Sequence, residues 1–234
     1  MRAVKTARVG TFTASLFHEV ALYRRVGGRD LYGRHLRDNP ASFDFPSYPR
    51  NFLTALATIF LMSSYTVRLA TARDAKSIAQ IHVATWQTAY GNLMPRDYLE
   101  KMTLEKRHAY WSEAIEFSEP QLLVAAEGEK IVGFVGYDRS RDPKTRSTVG
   151  EIWAIYVLPS HWGQGVGLAL WDGARDGLKE EGCTQVTLWV LLGNERALRF
   201  CEQAAGFKRD LTSLRTTAFG SVRLEELRLK RALD

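Results

Sequence analysis

The sequence predicts a mixed α/β domain built on a central, mainly antiparallel sheet with flanking helices. Three observations carry that expectation. From residue 65 onward, stretches with the period of a strand alternate with stretches with the period of a helix. The segment LLVAAEGEKIVGFVGYD, residues 122–138, reads as two strands joined by a tight turn at Glu127–Gly128. Two further apolar runs, GEIWAIYVL and QVTLWVLL, read as buried strands.

The elements follow in order. YTVRLA, residues 65–70, alternates like an edge strand. Asp74 is placed to cap a helix whose apolar stripe is Ala75, Ile78, Ala79, His82 and Trp86. A second helix is expected over Arg96–Ser118, before the hairpin. RSRDPKTRST, residues 139–148, is a polar loop, and GEIWAIYVL follows it. The chain then turns through Pro159 and places glycine at every second position: Gly163, Gly165 and Gly167. A helix starts at once, with Val166, Leu170, Ala174 and Leu178 at four-residue spacing and Gly182 as its stop. After QVTLWVLL, Asn194 caps a short helix that ends at Gly206. FKRDLTSLR and SVRLEELRLKRAL read as closing strands. Trp153, Trp171 and Trp189 read as core, and His161 as an exposed turn residue.

Composition narrows the function classes. Of the 234 residues, 45% are hydrophobic and 25% charged, which is ordinary for a globular chain. Two distant cysteines, Cys183 and Cys201, make neither a disulfide framework nor a metal-ligand spacing, so no metal and a cytoplasmic location are expected. The net charge of +6 is unevenly spread. Residues 1–61 hold nine Lys/Arg against four Asp/Glu, which leaves only +1 for the rest. No basic groove for nucleic acid follows from that body.

Residues 1–50 mix Arg, Gly, Pro and aromatics without a sustained period. FLTALATIFLM, residues 52–62, is 11 residues long, and a bilayer span needs roughly 20. It also lies too deep in the chain for a secretory signal, so no membrane partner is expected. Residues 1–61 are expected to be a poorly ordered extension or upstream sequence translated in error, with a divergent helical arm as the alternative. Residues 62–234, opening at Met62, form the expected domain.

The glycine turn asks for a bare backbone between a buried strand and a helix. Glycine lets another backbone or a ligand approach, and left-handed dihedrals cost it little. The helix behind it offers unpaired N–H groups and the positive end of its dipole, which suits a pyrophosphate. A tight packing turn explains the same residues. A dinucleotide fingerprint would need Gly-x-Gly-x-x-Gly and an acidic residue ending the next strand; here the spacing is Gly-x-Gly-x-Gly and that strand ends in Gly193-Asn194. A nucleotide-phosphate loop would need Gly-Lys-Ser/Thr, which is absent there.

WAIYVLPSHWGQGVGLAL, residues 153–170, resembles the pyrophosphate motif of the GNAT superfamily of acyl-CoA-dependent N-acetyltransferases, Gln/Arg-x-x-Gly-x-Gly/Ala. Gly165 and Gly167 fall on the two small positions, and Trp162 stands where Gln or Arg is usual. GNERALRFCEQAAGF, residues 193–207, is similar to the family's Asn-x-x-Ala-x-x-Phe-Tyr-x-x-x-Gly-Phe, with one extra residue before Gly206. The resemblance covers about residues 65–232, in the right order.

That resemblance implies a sheet splayed near its middle, with the pantetheine arm of acetyl-CoA in the gap. It implies that the backbone of Tyr156 and Val157 holds the arm, and that the N–H groups of Gln164, Gly165, Val166, Gly167 and Leu168 bind pyrophosphate. Asn194 would contact the arm near its sulfur end, cap its helix, or do both. The activity implied is transfer of an acetyl group from acetyl-CoA to a primary amine, small or peptidic, by direct attack in a ternary complex, in a monomer or homodimer. A non-catalytic acyl-CoA-binding module is the alternative.

Attack requires a deprotonated amine, and the departing thiolate is helped by a proton. Strand alternation sets Glu151 on one face with Trp153, Ile155 and Val157, where desolvation favours a base; a surface glutamate at the strand start is the plainer reading. Cys201 occupies the position of the family's tyrosine acid. It is either a substitute proton donor or a small buried helix residue. Trp86 and Tyr90, with Tyr98, are candidates for an aromatic wall around the amine, or for helix packing.

Overall fold

The computed structural model describes residues 65–233. The expected extension over residues 1–61 lies outside the described residues. Eight strands form one sheet: β1 (Tyr65–Leu69), β2 (Gln121–Glu127), β3 (Lys130–Arg139), β4 (Val149–Val157), β5 (Gln185–Leu191), β6 (Lys208–Arg209), β7 (Arg215–Phe219) and β8 (Val222–Ala232). Their order is β1-β2-β3-β4-β5-β8-β6, with β7 also paired to β8. Every pairing is antiparallel except β4 with β5. The mixed α/β architecture and the mainly antiparallel sheet match the sequence expectation.

Helices cover both faces. α1 (Ala75–Tyr90), α2 (Arg96–Glu100) and α3 (Leu104–Phe117) precede the hairpin, α4 (Val166–Glu180) follows the glycine turn, and α5 (Glu195–Arg199) follows β5. The four-residue stripe on α4 is fully buried: Val166, Leu170, Ala174 and Leu178 pack with Val135, Val186 and Leu229 on one sheet face. Ile78, Ala79 and Ile81 of α1 and Trp111 of α3 pack with Val124, Phe134 and Ala154 on the other. Truncating one of these buried aliphatics, such as Leu170→Ala, costs about 2–5 kcal/mol in cores of this kind.

Local chemistry shifts several boundaries. The single helix expected over Arg96–Ser118 is two, because the Thr103 hydroxyl accepts the Lys106 N–H at 3.4 Å and starts a new helix. Asp74 does not cap α1 by its side chain. Its carboxylate reaches back to the N–H and hydroxyl of Thr71 at 2.8 and 2.9 Å, and the Arg68 guanidinium grips it at 2.7 and 2.9 Å. Of FKRDLTSLR, only Lys208–Arg209 and the final Arg215 join strands, because Asp210 gathers Thr212 and Arg228 into a turn. β7, largely polar, has no period that announces it.

Candidate active site

β4 and β5 stay together for three residue pairs only: Val149 with Gln185, Gly150 with Val186 and Glu151 with Thr187. Beyond them β5 keeps to β8, whereas β4 keeps to β3. A bulge marks the parting. Tyr137 pairs with Ile152 and Gly136 with Ala154, so Trp153 is the extra residue, and a bulge bends and twists its strand. The gap is a cleft of about 580 Å³, lined by Ile152–Val157 on one side and Leu188–Val190 on the other. That volume is ordinary for a small-molecule site.

Strand alternation decides which backbone groups face the gap. The Leu158 N–H turns to β3 and bonds the Val132 carbonyl at 2.9 Å. Tyr156, two residues earlier and opposite Phe134, therefore spends its backbone groups on β3, while Ile155 and Val157 turn theirs to the open edge. This corrects the expectation for Tyr156, whose backbone is already paired, and adds Ile155, which sequence reasoning missed. At Val157 the carbonyl is taken by the Trp162 indole N–H at 2.8 Å and the Thr85 hydroxyl at 3.1 Å. Its N–H is the group left for a ligand.

The glycine turn closes one end of the cleft. Gly165 is the residue before α4, at φ 86° and ψ −9°, a left-handed conformation that a side chain strains. The first helical N–H with an acceptor is Ala169, bonded to Gly165 at 3.0 Å. The N–H groups of Val166, Gly167 and Leu168 lack a carbonyl one turn below and face the turn. Gly167 is small for a different reason: a Cβ there would lie 3.1 Å from the Phe200 ring. Gln164 contributes no side chain to the cleft, since it bonds Ser160 and Tyr65. Trp162 carries the Arg196 guanidinium 3.9 Å above its ring, so a cation stands at this rim although the usual Gln or Arg is missing.

Tyr90, Asn194 and Cys201 line the other part of the cleft. Asn194 accepts the Ala197 N–H at 3.2 Å, so it does cap α5. Tyr90, from the end of α1, shares that lining. Burial raises the Tyr90 phenol above its ordinary value, so it stays protonated. Cys201 lies in a π-turn, Phe200–Ala204, closed by Ala205 N–H to Phe200 at 2.9 Å. That turn absorbs the extra residue before Gly206. Burial, with Glu202 adding to it, pushes the Cys201 thiol up to about 12.

Glu151 stands differently from the sequence expectation. The bulge at Trp153 flips the alternation: Gly150 and Ile152 face α4, as do Ile155 and Val157 after the extra residue. Glu151 therefore does not share a face with Ile155 and Val157. It is 2% exposed and is not part of the cleft lining. One oxygen takes the Arg141 N–H at 2.9 Å, and the other takes the Arg141 guanidinium. Arg141 also covers the Trp153 ring at 4.1 Å.

The aromatics redistribute as well. Tyr90 lines the cleft, but Trp86 packs between His82 and Tyr90 at 5.5 and 4.9 Å, and Tyr98 packs on Phe219. Trp171 is core, whereas Trp153 and Trp189 are half-buried and line the cleft. His161 is buried, set between Ser160 and Glu127, not exposed.

A splayed strand pair ending on a glycine-entered helix has relatives. Residues 76–207 match the model of the acetyltransferase (GNAT) family. The chain belongs to that family. It is 30% identical over 131 residues to the uncharacterized N-acetyltransferase YuaI of Bacillus subtilis, covering 55% of this chain and 73% of YuaI. Among solved structures, the PaiA N-acetyltransferase of Thermoplasma acidophilum in complex with coenzyme A aligns at TM-score 0.55 and 19% identity, over 72% of this chain and 99% of that one. YncA of Salmonella typhimurium, a putative acetyltransferase solved with acetyl-CoA, aligns at TM-score 0.56 and 19% identity, over 74% and 95%. This family chain thus carries the open, mostly antiparallel sheet of those folds, and membership makes it an acyltransferase.

Proposed function

We propose that this protein transfers the acetyl group of acetyl-CoA to a primary amine by direct attack in a ternary complex. The observation that carries the reading is the continuity of one cleft, from the open edge of β4 at Ile155 and Val157 to the unpaired N–H groups opening α4. An extended pantetheine arm can pair with the free Val157 N–H as an added strand would, and its pyrophosphate then reaches Gly165–Leu168. Arg196 and Arg199 at the rim supply positive charge for further phosphate oxygens. A backbone N–H on the open edge faces the thioester oxygen and stabilises the charge that develops there.

The amine enters from the β5 side, where Trp153 and Trp189 present aromatic faces. Glu151, at the last residue pair before the strands part, has its charge offset by Arg141. In that geometry the amine's proton leaves to water. A base role for Glu151 requires Arg141 to release it.

The test is calorimetric titration of the full chain with acetyl-CoA, followed by an amine panel read by release of the coenzyme A thiol. Saturable binding and amine-dependent thiol release are expected. Binding without release from any amine would favour the non-catalytic acyl-CoA module. No binding would end the reading. If Glu151→Gln keeps full turnover at every pH, Glu151 is not a base; loss of turnover with acetyl-CoA affinity intact would restore that role.

A further inference from the structure

β4 and β5 part after Glu151 and Thr187. Two positions further on, each strand carries a tryptophan, Trp153 and Trp189, and both line the cleft. Ile152, Ala154 and Leu188 line it beside them. The end of the cleft where the strands part is therefore walled by apolar and indole surface.

The distribution of charge narrows what this end can hold. The described residues that line the cleft include no Asp or Glu, and no Lys or Arg beyond Arg196 and Arg199 of α5. The cations stacked on the two indoles are already committed. Arg141 lies over Trp153 at 4.1 Å and is paired with Glu151. Arg215 lies over Trp189 at 3.7 Å and is paired with Glu226 at 2.8 Å. A second ammonium on the acceptor would find no carboxylate in the lining. A carboxylate on the acceptor would find no uncommitted cation between the tryptophans. Either charge would lose water without gaining a partner. An apolar ring entering the same space gains from leaving water.

Trp189 is also held in one orientation. Its indole N–H donates to Asp142 at 3.1 Å. The other Asp142 oxygen accepts Arg228 at 2.9 Å, and Arg228 donates to Asp210 at 2.9 Å. Arg228 is the direct partner of Trp189 across β5 and β8. Turning the indole over would leave its N–H and one Asp142 oxygen unpaired, so this wall is set before any acceptor arrives.

We propose that the acceptor is a primary amine on an otherwise uncharged, apolar body that carries an aromatic ring. Trp153 and Trp189 hold the ring, and Asp142 is the positioning residue for Trp189. This rests on the acetyl-transfer reading above and specifies its acceptor.

The probes are phenethylamine, propylamine, phenylalanine and putrescine, with acetyl-CoA saturating and thiol release recorded. Relative to phenethylamine, propylamine lacks the ring, phenylalanine adds a carboxylate, and putrescine replaces the ring with a second ammonium. In wild type, kcat/KM for phenethylamine should exceed each of the others by about tenfold or more. In Trp189→Ala its advantage over propylamine should shrink about fivefold, through KM, with acetyl-CoA affinity unchanged. Damage to the fold in general would lower both amines alike and leave the ratio in place. Asp142→Asn keeps one acceptor oxygen, which cannot serve both Trp189 and Arg228, so the ratio should shrink about threefold. Equal or faster acetylation of phenylalanine or putrescine by wild type would overturn the assignment and leave acetyl transfer standing. So would an unchanged ratio in Trp189→Ala; should that variant not fold, Asp142→Asn decides in its place. If acetyl-CoA binds but no amine releases thiol, phenethylamine is titrated into the coenzyme A complex and followed by tryptophan fluorescence, and lack of saturation overturns the proposal. If wild type binds no acetyl-CoA, both readings fall together.

Discussion

Acidification should loosen the helix that carries Tyr90, and His82 is the reason. His82 is 5% exposed on the inner face of α1. Its Nδ1 accepts the Trp111 indole N–H at 3.1 Å, which requires the neutral ring with its proton on Nε2. Burial first, and Arg107 second, lower its pKa from 6.5 to about 3. The folded value is thus depressed below the unfolded one. As pH falls, the unfolded chain takes the proton first. The contribution is intact above the unfolded value of 6.5 and is lost progressively as pH falls towards about 3. Between about pH 7 and about pH 5 the loss is about 2 kcal/mol. The check is urea unfolding of the full chain at both pH values, followed by tryptophan fluorescence. His82→Asn keeps an acceptor near Nδ1 but cannot titrate. It should be less stable than wild type at neutral pH, yet lose about 2 kcal/mol less on acidification. If both proteins lose the same amount, His82 is not the acid-sensitive group.

The Arg141–Glu151 pair should be asymmetric, because Glu151 is 2% exposed and the Arg141 side chain 50%. Arg141→Ala strands a buried carboxylate and should cost about 2 kcal/mol, whereas Glu151→Gln leaves a cation that water can cover and should cost under about 1 kcal/mol; equal costs in chemical denaturation would refute this. Gly165→Ala, at φ 86°, should cost about 1 kcal/mol in stability and weaken acetyl-CoA binding roughly tenfold in calorimetry. Cys201, with its thiol pushed up to about 12, should resist iodoacetamide in the folded chain at mildly alkaline pH and react on unfolding, as read by peptide mass spectrometry.

Much of the frame was legible because it depends on short-range pattern. The α4 stripe needs only a four-residue spacing. The runs that became β4 and β5 need only length and apolarity, and the glycine turn needs only residues that share one stretch of chain. Thr103 shows where that reading stops. A threonine inside an amphipathic pattern does not announce that its hydroxyl will start a new helix. His161 shows the same limit at longer range, since Glu127, its carboxylate partner, is 34 residues away.

The chemistry was harder to read than the frame because it hangs on two irregularities of one residue each. Alternation along GEIWAIYVL groups Glu151 with Ile155 and Val157 only if the strand is regular. The bulge at Trp153 breaks that phase and turns Glu151 to Arg141, which arrives from a polar loop with no period of its own. The π-turn acts on the other side of the gap. The extra residue before Gly206 is visible in the sequence, but its effect is to seat Cys201 among core side chains while α5 keeps its cap. The cap then meets the end of α1, more than 100 residues earlier in the chain, and Tyr90 and Asn194 become neighbours through tertiary packing alone.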